Sequence, residues 1–178
     1  MFQLYIHKDK GLTDNLIDRC KRSGFKAMCL TVDTVVAGNR ERDHRWGFTT
    51  PPKLTLKSLL SFATHPMWSI NYLTHEKFQL ANVSHFTKKG SSIAKGVMEY
   101  INEQYDPKMN WQDAEYCIKR WGGPFAIKGV MSVEDAKRAV EIGASAIMLS
   151  NHGGRQLDGS RSPFDQLPAI AEAVGAVS

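Results

Sequence analysis

Four short apolar runs punctuate the chain: Phe2 to Ile6, Ala27 to Val32, Pro124 to Ile127 and Ala146 to Leu149. Each has the length of a buried strand rather than of a helix. Segments with apolar residues at helical spacing lie between or after them. Thr13 is placed to cap one that carries Leu16, Ile17 and Cys20 on one face, and Gly24 is placed to end it. Asn110 caps a second, Trp111 to Trp121. Ser132 and Asp135 form a capping box ahead of the stripe Ala136, Ala139 and Val140, with Gly143 as the stop. After the last run, Ser162-Pro163 and Leu167-Pro168 are competing starts for a helix with Ile170, Ala171 and Val174 at helical spacing. Alternating strands and helices with short links predict an α/β fold, its parallel strands joined by right-handed crossovers in a barrel or a doubly wound sheet.

One stretch breaks the rhythm. From about residue 34 to 109, after the second strand, the pattern predicts a long insertion with a helix over Leu56, Leu59, Leu60 and Ala63, then Trp68, Ile70 and Tyr72 beyond Pro66. An eight-unit barrel takes about 250 residues before insertions, whereas these 178 residues hold four strand runs. The expectation is therefore an incomplete barrel of about four βα units, in a chain truncated inside a strand at one end and after a helix at the other. With 42% apolar residues the chain has the material for a core, and its net charge of +5 selects no partner by itself. Cys20, Cys29 and Cys117 are far apart among apolar neighbours and are read as reduced core residues. No stretch reaches the roughly 18 apolar residues of a membrane span and Met1 to Lys10 lacks the order of a signal peptide, so a cytoplasmic location is the default expectation.

Candidate chemistry gathers where the strand runs end, the edge at which parallel barrels assemble their sites. The last run leads into Ser150-Asn151-His152-Gly153-Gly154-Arg155, an imidazole and a guanidinium three residues apart on a glycine-permitted turn. Histidine accepts a proton near neutral pH, and arginine offers a two-pronged fork that fits a carboxylate. Alone, the motif fits a plain surface turn equally well. Its position after a buried strand, with Asp33 and Lys128 closing the two preceding strands, favours one shared site. Asp33 is placed to hydrogen-bond the imidazole, against the alternative of capping a backbone N–H. Lys128 suits an electron-rich cofactor ring, against the alternative of a lysine snorkelling from a strand end.

Together Phe2-Gln3-Leu4-Tyr5, Leu30-Thr31-Val32-Asp33-Thr34, Ile127-Lys128-Gly129 and Ser150 through Asp158 (SNHGGRQLD) resemble the FMN-dependent 2-hydroxy-acid dehydrogenases and oxidases, a family of (β/α)8 TIM barrels. The resemblance covers nearly the whole chain, and Tyr105-Asp106-Pro107 with Trp111 inclines it toward the L-lactate branch. It implies FMN as cofactor, contacted by Gln3, Thr31, Lys128 and Ser150. It implies a small 2-hydroxy acid held by Tyr5, Arg40 and Arg155, and His152 as the base supported by Asp33. The electron acceptor stays open between a quinone, a cytochrome and oxygen, and the parent is expected to be a homo-oligomer.

The resemblance also makes the insertion a segment that attaches some members to the inner face of the cell membrane. Arg40, Arg42, Arg45, Lys53 and Lys57 lie near Trp46, Phe48, Phe62 and Trp68, as in an interfacial segment, while a solvated loop folding over the active site fits as well. Segments that would hold the FMN phosphate fall outside residues 1–178, so the chain alone is expected neither to bind FMN tightly nor to turn over. Two other readings stand beside this one: a different FMN barrel such as a type 2 isopentenyl diphosphate isomerase, against which HGGRQLD speaks, and a peripheral membrane or interaction fragment without activity. His65, His75 and His85 lack a metal-ligand pattern, no GxxxxGK phosphate loop occurs, and no nucleic-acid partner is expected.

Overall fold

Asp9 begins the first helix because its Oδ1 accepts the Gly11 and Leu12 N–H groups at 2.8 and 3.3 Å, satisfying donors that a helix start leaves free. In the computed structural model, which describes residues 1–34, 38, 41–46, 55–75, 82, 106–157 and 159–175, β1 (Phe2–Leu4) leads into α1 (Lys10–Arg22) and β2 (Met28–Thr31). Then come α2 (Glu41–Trp46), α3 (Leu56–Ala63) and α4 (Pro66–Thr74), followed by α5 (Trp111–Trp121) and β3 (Phe125–Lys128). The chain continues through α6 (Val133–Glu141), β4 (Ala146–Met148), one 3-10 turn (His152–Gly154) and α7 (Pro163–Val174).

The strands form one parallel sheet in the order β1-β2-β3-β4, as the strand–helix alternation predicts. Register decides which side chains share a face. Gln3 pairs with Cys29, Thr31 with Lys128, and Lys128 with Met148. Because side chains alternate, these residues line one face, while Leu4, Met28, Leu30, Phe125 and Ile127 line the other. That second row is at most 1% exposed, and Leu12, Ile17, Cys117, Ala136 and Ile170 on the helices are buried as well. Each such burial stabilises by about 1.5–3 kcal/mol. All three cysteines are free and buried.

Three local expectations are corrected. Thr13 is no cap; it lies inside α1, 3% exposed, and its hydroxyl accepts the His7 N–H at 3.3 Å. Asp9 takes the cap because it reaches two N–H groups at once, one turn earlier. Val140 is 41% exposed, so the stripe of α6 is Ala136 and Ala139 alone. Of the competing starts for α7, Ser162 prevails: its hydroxyl takes the Asp165 N–H at 3.1 Å, Pro163 occupies the first turn, and Pro168 is carried inside the helix.

The chain divides into two compact units, Met1–Asn39 with Gln104–Ser178, and Arg40–Glu103. Within the second, Thr55 and Ser58 close a capping box on α3, and Phe62, Trp68 and Tyr72 stack in a ladder with ring centroids 5.3 Å apart. Within the first, α1 and α5 are laced together on the outside. Arg120 reaches Asp18 at 2.9 Å, and Tyr116 donates to Asp14 at 2.9 Å, a bond that pushes the phenol pKa up. Arg120 Nε lies 3.2 Å from Asp14 Oδ1 without a hydrogen bond, so that contact acts by charge alone.

Candidate active site

The carboxyl ends of the strands carry the polar groups. Backbone pairing runs one residue past β2 and β3, with Val32 N–H donating to the Lys128 carbonyl at 2.9 Å and Gly129 N–H to that of Met148 at 3.0 Å. This fixes the rail on which Asp33 sits. Beyond β4 the chain turns sharply, and His152 adopts φ +54°, the one positive φ of a non-glycine residue among those described. A side chain pays a steric penalty there, so local bonds must hold it. The Ser150 hydroxyl accepts the His152 N–H at 3.2 Å, and the Asn151 side chain accepts from Gly154 N–H at 3.2 Å. The Asn151 amide also donates to Ser160 Oγ and the Arg161 carbonyl, each at 3.3 Å.

So held, His152 Nδ1 lies 2.7 Å from Asp33 Oδ2, with the two side chains 25% and 14% exposed. A carboxylate only accepts, so Nδ1 carries a proton and donates it, and in the neutral ring the lone pair then sits on Nε2. Asp33 Oδ1 is buried with no hydrogen-bond partner among the described residues. A second polar group links β1 to β2: Gln3 Nε2 donates to Thr31 Oγ1 at 2.7 Å and to the Tyr5 hydroxyl at 2.9 Å. Thr31 is 2% exposed. Lys128, opposite Thr31 in register, is half-buried and makes no ion pair with any described residue. Burial pushes the neighbouring Cys29 thiol up, with Lys128 pulling it partly back.

Of the residues singled out from sequence, the structure therefore joins Asp33, His152 and Ser150 in one group and Gln3, Tyr5 and Thr31 in another. Lys128 pairs in register with Thr31. Arg155 is exposed on the turn three residues after His152, and Arg40 lies outside the described residues. Asn151, which ties the turn together, is a site residue the sequence reading leaves without a role, although an asparagine directly before a His-Gly-Gly turn signals it. His7 was missed altogether: its Nδ1 is buried with no hydrogen-bond partner among the described residues, and burial lowers its pKa against the opposing charge of Asp9.

A parallel βα array with a hydrogen-bonded His–Asp pair at the carboxyl edge of its strands is the arrangement of a barrel enzyme. The sequence profile described as FMN-dependent dehydrogenase matches residues 1–178, and the chain belongs to that family. It is 41% identical over 174 residues to an L-lactate dehydrogenase of Serratia proteamaculans, covering 97% of this chain and 45% of that protein. An L-lactate oxidase of Nostoc sp. is 43% identical over 173 residues, covering 97% and 42%. Among solved structures, a monotopic membrane (S)-mandelate dehydrogenase superposes with a TM-score of 0.87 at 32% identity, covering 97% of this chain and 45% of that one. A mandelate oxidase superposes with a TM-score of 0.67 at 29% identity, covering 97% and 40%. The chain thus spans less than half the length of these relatives, and its fold is part of their α/β barrel.

Proposed function

We propose that this chain carries the base and the substrate-anchoring arm of an enzyme that oxidises an L-2-hydroxy acid, L-lactate foremost, to the 2-oxo acid with FMN as cofactor. The observation that carries the reading is the 2.7 Å bond from His152 Nδ1 to Asp33. It points Nε2 away as a proton acceptor, and the carboxylate stabilises the imidazolium once the substrate's proton has arrived there. Arg155 binds the substrate carboxylate through its fork, joined by Arg40. The Tyr5 hydroxyl, which accepts from Gln3, joins Arg155 in holding the substrate. FMN is the group that takes up the two electrons lost from the substrate's C2. The residues fit it: Lys128 is a half-buried cation without a counter-ion among the described residues, and Gln3 and Thr31 form a polar edge beside it, with Ser150 at the next strand end. The L-lactate relatives favour this reading over an isomerase or an inactive fragment.

The test is His152→Gln in the protein expressed from its full reading frame. FMN should stay bound, while its bleaching by L-lactate under anaerobic rapid mixing should slow by about 10²–10⁴-fold, the usual loss for a general base. A variant that bleaches at the parental rate makes His152 a turn residue and ends the proposal.

A second inference concerns location. No helix among the described residues is long and apolar enough to cross a membrane. We infer that the second unit lies against a membrane surface, at its inner face. Supporting this, α3 and α4 expose Leu56, Leu60, Met67, Trp68, Tyr72 and Leu73, and the mandelate dehydrogenase relative is a monotopic membrane protein.

A further inference from the structure

Two glycines touch the candidate site where no other residue fits. A Cβ built on Gly129 would lie 2.7 Å from Asp33 Cγ and 2.8 Å from both Asp33 Cβ and Oδ1. The backbone cannot retreat from that collision. Gly129 gives its N–H to the Met148 carbonyl at 3.0 Å, and the Lys128 carbonyl holds Val32 N–H at 2.9 Å. Its φ of +108° also disfavours any side chain. Relief must therefore come from Asp33, whose Oδ2 is held on His152 at 2.7 Å. Ordinary carbon contacts lie at about 3.5–4.0 Å. Restoring one would move the carboxylate by roughly the distance that separates a strong hydrogen bond from none.

Gly38 crowds the other arm. A Cβ there would run into the Arg155 carbonyl oxygen and Gln156 Oε1. The glutamine amide is a flexible end and can swing aside. The carbonyl belongs to a turn tied by Arg155 N–H to the His152 carbonyl at 3.3 Å and by Gly154 N–H to that of Asn151 at 3.0 Å, so the turn would move as a body and take Arg155 with it. We propose that Gly129 and Gly38 are positioning residues, Gly129 for the Asp33–His152 pair and Gly38 for the Arg155 turn. Their roles rest on the functional reading above and divide it: one glycine governs the aim of the base, the other the seat of the carboxylate anchor.

The experiment uses the FMN-loaded protein from its full reading frame, mixed rapidly and anaerobically with L-lactate. Gly129→Ala should lower the limiting rate of flavin bleaching about 10- to 100-fold, as a misplacement near 1 Å does, with little change in half-saturation. Gly38→Ala should raise half-saturation about tenfold, with a much smaller change in limiting rate. Two further readouts need no turnover. The far-downfield proton resonance of a short His–Asp hydrogen bond should vanish in Gly129→Ala and persist in Gly38→Ala. Binding of oxalate, an unreactive dicarboxylate, should weaken only in Gly38→Ala. If Gly129→Ala fails to fold, adding Asp33→Gly removes all three crowding atoms and should restore folding; failure to restore it overturns the role of Gly129. Wild-type protein that keeps its flavin colour with every L-2-hydroxy acid overturns the functional reading, and the proton resonance and oxalate binding then still decide the positioning roles. Wild-type bleaching with both variants shifting rate and half-saturation together overturns this inference.

Discussion

Leu30 and Leu60 are the same residue in opposite circumstances. In β2 the side chain is wholly buried; in α3 it is 63% exposed. The contrast extends to their surroundings: Leu4, Met28, Phe125 and Ile127 beside the first are shut from solvent, whereas Leu56, Leu59, Met67 and Leu73 beside the second lie open. Apolar pattern alone does not tell these fates apart, because α3 carries apolar residues at helical spacing as regularly as α1. What separates them is that the first unit contains a sheet face, whereas no strand is found among the described residues of the second. A contiguous apolar surface without such a face is the mark of an interaction surface, which is why the two regions should respond differently to the same kind of substitution.

The largest difference should come from truncating one side chain in each. Phe125→Ala should cost about 3–5 kcal/mol in urea unfolding, and Leu60→Ala should stay within about 0.5 kcal/mol. Comparable losses would mean that α3 packs as a core helix and would erase the contrast. Next in size, replacing Trp68 with Ser should weaken binding to anionic vesicles by about tenfold or more, since one inserted apolar side chain contributes roughly 1.5–3 kcal/mol. Flotation with undiminished binding would remove the membrane role of this surface. A smaller loss, about 1 kcal/mol, is expected from Asn110→Ala, which deletes the cap accepting Gln112 and Asp113 N–H at 2.9 and 3.2 Å. It should appear in stability and leave vesicle binding alone.

The smallest expected effect is one of pH. Burial holds the His7 pKa below its ordinary 6.5, so the folded chain prefers the neutral ring. As pH falls below about 6.5 the unfolded chain takes up a proton that the folded chain refuses, and stability declines; above it the contribution is fully present. Urea midpoints at pH 5 and pH 8 should therefore differ less in His7→Gln than in the parent. Equal pH slopes would show that the ring is hydrated.

Much of this architecture was legible beforehand where the cause is local. Asn110, Ser132 and Ser162 announce their helices because a cap needs only its next few residues, and the strand runs announce themselves through unbroken apolarity. Thr13 misled because Asp9 and Thr13 both satisfy the capping rule, and the choice between them turned on Asp9 reaching two N–H groups at once. The site was half legible. Its chemical groups stand at strand ends, a place readable from the runs, and the resemblance gathered them. That Gln3, Thr31 and Lys128 share one face depends on register between strands, which no single segment encodes. The lacing of Arg120 to Asp18, 102 residues apart, and the clearance that Gly129 leaves for Asp33 were not legible at all, since each exists only once distant segments meet.

The bond between His152 and Asp33 spans 119 residues of chain, and that span has a kinetic meaning. Closing so long a loop costs about 2 kcal/mol more entropy than closing one of ten residues, and nothing repays it until β2, β3 and β4 align. The helices form from neighbours and need not wait. The His–Asp contact is therefore a late event in folding, downstream of parallel strand pairing. A substitution that slows pairing would leave, for a time, a chain with helical structure in place and no proton acceptor poised at the strand ends.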